Sequence, residues 1–188
     1  MNKLLKYRND YHSIYQIAQK FDIMRMIIIV CHNDSTQINM SPVSQPLPPA
    51  LDRIIQRFKQ ISESKRRYEY LLHFAKRLPA FPDDQKIEAN RVPGCASQVY
   101  VVATIRDGKV AFQADSDAQI TKGLVGLLVE GLDGLTPTEI MQLTPHFIQQ
   151  TGLDVSLTPS RANGFYNIFQ MMQKRALVCH LTETYSQS

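Results

Sequence analysis

The stretch VYVVATIRDGKVAFQA, residues 99–114, decides the fold because it contains two apolar strands and the turn that joins them. Alternate positions of its first half are apolar, a spacing that places those side chains on one face of a strand. Asp107 and Gly108 follow, a pair typical of a two-residue hairpin turn in which both residues take a positive φ. Residues 109–114 then return as the partner strand. With a further strand over residues 88–92, we predict a small antiparallel three-stranded meander.

Two amphipathic helices are predicted before the hairpin. Apolar residues at helical spacing indicate a first helix over residues 51–61. A second begins near Ser64 and ends at Pro79, because proline cannot continue the helical hydrogen-bond ladder. The apolar face of this second helix is expected to comprise Tyr68, Leu71, Leu72, Ala75 and Leu78. Residues 80–89, with two prolines, are interpreted as a surface loop.

Three further helix starts are predicted after the hairpin. They are a Ser116-x-x-Gln119 capping box, the sequence Thr136-Pro137-Thr138-Glu139, and Thr158-Pro159. Gly123 and Gly126 lie inside the first of these helices, where each costs about 1 kcal/mol relative to alanine. We expect them to permit close approach to the sheet or to a neighbouring helix. The apolar face of the last helix should comprise Phe165, Ile168, Phe169, Met172 and Ala176.

These patterns predict one domain over residues 47–180, built from helices and the meander. Residues 1–46 are interpreted as an N-terminal extension that is poorly ordered or not native, and residues 181–188 as a frayed tail. Met40 precedes a proline-rich leader, and we expect it to be the natural start. An intact peptide from residues 10–30, found by mass spectrometry of the protein from its native host, would contradict this expectation.

Composition favours a globular protein in a reducing compartment. The chain has 188 residues, of which 44% are hydrophobic, enough to bury a core without disulfides or metals. Its three cysteines are odd in number and far apart, so a disulfide framework or structural zinc is disfavoured. The net charge of +4 comes from scattered basic residues, and no nucleic-acid motif or membrane-spanning run is present. We expect a cytoplasmic protein, with a plastid or other organelle the weaker interpretation.

Cys95 is the candidate reactive residue, within the sequence RVPGCASQVY at residues 91–100. Pro93 favours an extended backbone before it, and Gly94 permits a turn that a residue with a Cβ would resist. The small neighbours Ala96 and Ser97 leave the sulfur unshielded at a loop tip. The alternative is a buried small residue, as most free cysteines are.

Four sequence blocks over about residues 51–176 resemble the SufE family, the sulfur-acceptor partners of cysteine desulfurases in iron-sulfur cluster assembly. They are Arg77-Leu78-Pro79, Gly94-Cys95-x-Ser97-Gln98-Val99, Asp115-Ser116-Asp117-Ala118 with Lys122-Gly123-Leu124, and Leu157-Thr158-Pro159-Ser160-Arg161 with Gly164. Four blocks in the right order are far more specific than any one of them.

The resemblance implies a two-layer, SufE/NifU-like α+β fold, with the antiparallel three-stranded meander packed against helices, and it identifies Cys95 as the acceptor. A SufS-like cysteine desulfurase would supply persulfide sulfur, and the chain would stimulate that enzyme and pass the sulfur to an iron-sulfur scaffold or another acceptor. Pyridoxal phosphate belongs to the desulfurase, so this chain is expected to hold no cofactor and no metal, and to be an accessory protein. A loop folded inward would hide the thiol from oxidation when the protein is alone.

The resemblance gives lesser roles, in supporting the loop or contacting the partner, to Gly94, Ser97, Gln98, Asp115, Asp117 and Arg161. Helix capping is the favoured explanation of both aspartates. Arg161 would pair with the aspartate loop or meet the partner, although a surface or capping arginine is more common. Gln98 would either orient the loop through side-chain hydrogen bonds or simply lie at the edge of the strand.

Two other classes of function stay open at this point. A self-sufficient cysteine enzyme, such as a thiol hydrolase, would need a distant histidine brought to Cys95 as a base. A metal or cluster scaffold would need more ligands than one loop cysteine supplies, unless chains associate.

Overall fold

The computed structural model describes residues 47–186. The predicted extension over residues 1–46, including Met40, lies outside the described residues. No helix of the described part is both long and apolar enough to cross a membrane.

Seven helices and one hairpin are described between residues 47 and 186. In chain order they are α1 (Pro49–Gln60), α2 (Ser64–Arg77), β1 (Val99–Arg106), β2 (Lys109–Ser116), α3 (Gln119–Gly131), α4 (Pro137–Gln142), α5 (His146–Gln150), α6 (Leu153–Ser156) and α7 (Pro159–Ser186). Two single-turn 3₁₀ helices, Asp83–Gln85 and Glu88–Asn90, lie in the predicted surface loop. The mixed α and β class is therefore confirmed.

The hairpin forms as its sequence predicts. β1 and β2 pair antiparallel from Val99 opposite Ser116 to Arg106 opposite Lys109. Asp107 and Gly108 have φ values of 52° and 72°, the left-handed conformation that this turn requires. The turn residues thus fix the register of the whole ladder.

The predicted third strand is wrong. Residues 88–90 form a 3₁₀ turn, and one isolated bridge joins Arg91 to Tyr100, with the Val92 N–H donating to the Val99 carbonyl at 2.8 Å. Asn90 is drawn away from the sheet because its amide donates to the Gln85 carbonyl at 2.9 Å. Pro93 has no N–H to continue the ladder. The sheet within residues 47–186 therefore has two strands.

Glycines let α3 lie close against α2. A Cβ on Gly123 would stand 2.7 Å from the Leu71 carbonyl oxygen, and one on Gly126 would stand 2.7 Å from that of Phe74. The prediction of close approach is confirmed, and α2 is the neighbour. Phe74 was outside the predicted apolar face, yet it is buried and its ring lies 6.5 Å from that of Phe58.

The last helix, α7, forms much of the core. Its predicted apolar face is confirmed, since all five of those residues are fully buried. Cys179 packs this helix against the hairpin, where its thiol donates to the Ala103 carbonyl on β1 at 3.6 Å. The helix continues to Ser186, so the segment predicted to fray is helical over residues 181–186.

The two predicted capping boxes had different outcomes. Thr136 and Glu139 form the reciprocal bonds of a capping box at the start of α4, as predicted. Ser116, however, is the last residue of β2, and α3 begins only at Gln119. The Ser116 hydroxyl accepts a bond from the Ala118 N–H at 3.3 Å, a local turn contact that leaves the helix start uncapped by a side chain. The Ser116 box was therefore wrong.

Candidate functional site

Cys95 lies in a short loop that α7 partly covers. Gly94 takes a φ of +71°, so the predicted glycine turn is present. The turn brings the Cys95 sulfur over α7, where its S–H donates weakly to the Gly164 carbonyl at 3.7 Å. The sulfur is half-buried, and this burial raises the pKa of the thiol above its ordinary value. The thiol is therefore partly covered, which agrees with the expectation of a loop folded inward and corrects that of an unshielded sulfur.

The C-terminal end of the loop is fixed to the start of α3. The Gln98 N–H donates to the Asp117 carboxylate at 3.0 Å, and the Asp117 N–H donates to the Gln98 carbonyl at 3.3 Å. The hydroxyls of Ser97 and Thr121 lie 3.1 Å apart and share a hydrogen bond. The Gln98 side chain accepts a bond from the Tyr100 hydroxyl at 3.2 Å. These contacts place Ser97, Gln98 and Asp117 in one cluster that supports the loop.

Asp115 forms a separate charged cluster with two lysines. Its carboxylate lies 2.7 Å from the Lys122 ammonium on α3 and 3.5 Å from that of Lys86 in the 80–89 loop. Burial alone would raise the pKa of this carboxyl, but the hydrogen bond and positive charge of Lys122 outweigh it and hold the pKa below its ordinary value. Asp115 therefore joins three parts of the chain next to the cysteine loop.

The capping interpretation of the two aspartates is wrong. α3 has no side-chain cap, because Asp117 bonds to the cysteine loop and Asp115 bonds to lysines. Capping was favoured because the local sequence fits it, whereas the real partners lie elsewhere along the chain.

Arg161 is exposed at the start of α7. Within the part of the chain that the structure describes, its side chain pairs with neither Asp115 nor Asp117. It lies three residues before Gly164, and residues at that spacing share a helix face. Arg161 is thus on the side of α7 that carries the cysteine loop.

Asn167 contacts the loop, and the sequence analysis missed it. Its side-chain amide donates to the Gly94 carbonyl at 3.1 Å. The two residues are 73 positions apart, so no local pattern links them. The only available sign was its place one turn after Gly164 on the same helix.

The thiol-hydrolase and metal-scaffold alternatives each require further groups near Cys95, which can be sought among the described residues. Among the described residues, Cys95 hydrogen-bonds to Gly164 alone, and burial is the cause of its pKa shift, so no described histidine acts on it as a base. No group of three or more potential ligands able to hold a metal ion occurs among residues 47–186.

Comparison with known proteins finds relatives over most of the chain. The family model SufE, described as an Fe-S metabolism associated domain, matches residues 52–176. An uncharacterized SufE-like protein of Synechocystis sp. is 55% identical over 79% of this chain and 94% of its own length. The cysteine desulfuration protein SufE of Plasmodium vivax is 38% identical over 68% of this chain, which spans about half (52%) of that relative.

A solved structure has a similar fold. The solution structure of a hypothetical protein from Thermus thermophilus matches with a TM-score of 0.63 and 28% identity, covering 72% of this chain and 99% of that one. Since the family model spans most of the chain and one relative is matched over nearly its whole length, the chain belongs to the SufE family.

Proposed function

We propose that the protein accepts persulfide sulfur on Cys95 from a pyridoxal-phosphate-dependent cysteine desulfurase and delivers it for iron-sulfur cluster assembly. By removing the product of the desulfurase, it also stimulates that enzyme. The observation that carries the proposal is the position of Cys95, a covered thiol on a glycine turn whose one hydrogen-bond partner among the described residues is a backbone carbonyl. The relative from Plasmodium vivax is named a cysteine desulfuration protein, which agrees with this role.

The transfer is a thiol exchange with no net oxidation. The Cys95 thiolate attacks the outer sulfur of the partner's cysteine persulfide, and a new S–S bond forms to Cys95. The S–S bond of the partner's persulfide breaks, and its cysteine leaves as a thiolate. The outer sulfur keeps its oxidation level throughout, so no oxidant or reductant is consumed.

The covered thiol of Cys95 must become accessible when the protein meets the desulfurase. Only the thiolate is nucleophilic, and a half-buried sulfur with a raised pKa provides little of it at neutral pH. The loop must therefore leave α7 before transfer, so that the partner's site completes the environment of Cys95.

Arg161 is proposed as a contact for that partner. It is exposed, lies on the face of α7 that carries the loop, and has no described partner that would give it a structural role. Gly94, Ser97, Gln98, Asp115 and Asp117 support the loop and its frame.

Transfer of radiolabelled sulfur from cysteine, through a desulfurase, tests the proposal. Cys179→Ser is the matched control, because Cys179 is also half-buried and also donates its S–H to a backbone carbonyl. We expect Cys95→Ser to accept almost no label and Cys179→Ser to accept as much as the wild type. Equal labelling of Cys95→Ser and the wild type would overturn the proposal.

A further inference from the structure

One face of α7 holds the whole segment that leads to Cys95. The Arg175 guanidinium donates to the Asn90 side-chain oxygen at 2.9 Å and also to the Ala89 carbonyl. Asn167 contacts Gly94, and Gly164 contacts Cys95. Positions 164, 167 and 175 are separated by three and eight residues, so they lie on one side of a helix with 3.6 residues per turn. The segment from residue 89 to 95 therefore runs along α7.

The two ends of the cysteine loop are firmly attached. Before the tip, Arg175 holds residues 89 and 90, and the Val92 N–H bonds to the Val99 carbonyl at 2.8 Å. After the tip, Gln98 is bonded to Asp117 in both directions. Movement of the thiol therefore requires only the tip, residues 93–96, to move.

Among the described residues, the tip makes two polar contacts with α7. One is the thiol of Cys95 on the Gly164 carbonyl at 3.7 Å, and an S–H group is a weak donor. The other is the bond from the Asn167 amide to the Gly94 carbonyl, at an ordinary length of 3.1 Å. Among the described residues, Asn167 thus supplies the one conventional hydrogen bond between the tip and α7.

The Gly94 turn is shaped to receive this amide. A Cβ on Gly94 would stand 2.8 Å from the Asn167 side-chain nitrogen, closer than real Cβ contacts allow. The positive φ of +71° would strain a residue with a Cβ as well. Glycine therefore serves both the turn and the close approach of Asn167.

We propose that Asn167 is the latch that holds Cys95 in its covered position and sets how often the tip releases the thiol. The effect of Asn167 on sulfur delivery rests on the proposed function. The effect of Asn167 on exposure of the Cys95 thiol does not. Asn167 acts as a positioning residue, because it contacts the loop backbone and not the reacting sulfur.

Loss of the latch should raise the population of released tips. A net hydrogen-bond contribution of typical size corresponds to a change of about 2- to 10-fold in such an equilibrium. When opening is fast relative to alkylation, the rate at a covered thiol follows the open population. The alkylation rate of Cys95 should rise by the same factor.

Iodoacetamide labelling of the full chain, followed by peptide mapping, measures this rate for each cysteine. The variants are Asn167→Ala, which removes the amide, and Asn167→Leu, which keeps a similar shape without a donor. Asn163→Ala is the matched control, since Asn163 is exposed on the same helix, four residues earlier. Cys179 serves as an internal reference in every sample.

Both Asn167 variants should alkylate Cys95 about 2- to 10-fold faster than the wild type. The Asn163 variant and the rate at Cys179 should not change. In the Asn167 variants the free energy of unfolding should fall by no more than the amount that this factor of about 2- to 10-fold represents. A wild-type rate in both Asn167 variants, or an equal rise at Cys179, would overturn the latch. Faster alkylation without any labelled-sulfur transfer to the wild type would support the latch and contradict only the proposed function.

Discussion

The half-buried sulfur of Cys95 should respond to pH differently from a free cysteine. Burial disfavours the thiolate, so the pKa is raised in the folded protein. The alkylation rate of Cys95 should therefore reach half its maximum at a higher pH in the folded chain than in the urea-unfolded chain, where a value of about 8.5 is expected. Equal midpoints, or a lower one in the folded chain, would contradict the covered position.

The same shift links pH to stability. A thiol whose pKa is raised on folding contributes its full stabilisation below the unfolded pKa. That contribution is lost as the pH rises through the folded pKa. Cys95 thus favours the closed loop at neutral pH and opposes it in alkaline solution.

At the scale of single residues, the sequence predicted local backbone conformation better than the hydrogen-bond partners of side chains. The turn at Gly94, next to Cys95, was predicted because its requirement, a positive φ, is local. Asp117 was assigned to a cap because the same local pattern fits one. Its true partner, the Gln98 N–H, lies 19 residues earlier and depends on how the hairpin folds back.

Two helical glycines, Gly123 and Gly164, should respond in opposite ways to alanine. At Gly123 the new Cβ would stand 2.7 Å from the Leu71 carbonyl oxygen, so α2 and α3 would have to separate. At Gly164 it would meet only the Cys95 sulfur, at an ordinary contact distance of 3.7 Å. We expect Gly123→Ala to lower the free energy of unfolding by about 1–3 kcal/mol. Gly164→Ala should raise it by up to about 1 kcal/mol.

Urea unfolding of the two variants, followed by circular dichroism, measures this difference. Each variant serves as the control for the other, because both replace a helical glycine by alanine. Gly123→Ala as stable as the wild type would show that α2 and α3 are not tightly packed at that point.

Among the elements, those with strong local determinants were predicted and those that depend on distant contacts were not. The Asp107-Gly108 turn and the Thr136 capping box formed because their side chains and backbone angles suffice. The strand predicted over residues 88–92 failed because Asn90 bonds to Gln85 and Arg175, which no periodicity reveals. The short helices α5 and α6 were missed, since four or five residues hold too little of a helical pattern.

At the scale of the whole molecule, Asp115 should make stability depend on acid pH. Its carboxylate joins β2, α3 and the 80–89 loop through Lys122 and Lys86. The pKa of Asp115 is lowered on folding, so its contribution is present above the unfolded pKa, near 3.9, and is lost as the pH falls through the folded value. Asp115→Asn should cost about 1 kcal/mol at pH 7 and less in acid.

Unfolding midpoints in urea at several pH values test this prediction. Asp133→Asn is a suitable control, because Asp133 is exposed beyond the end of α3. A constant difference between wild type and Asp115→Asn at every pH would show that the ion pairs do not stabilise the fold.

The covering of Cys95 by α7 has a consequence for protein synthesis. Gly164, which accepts the bond from the thiol, is made 69 residues after Cys95. At a translation rate of about 5–20 residues per second, the nascent chain lacks this cover for about 3–14 seconds. Throughout that interval Cys95 lacks the cover of the last helix, so its protection against oxidants would depend on the reducing power of the surroundings until that helix docks.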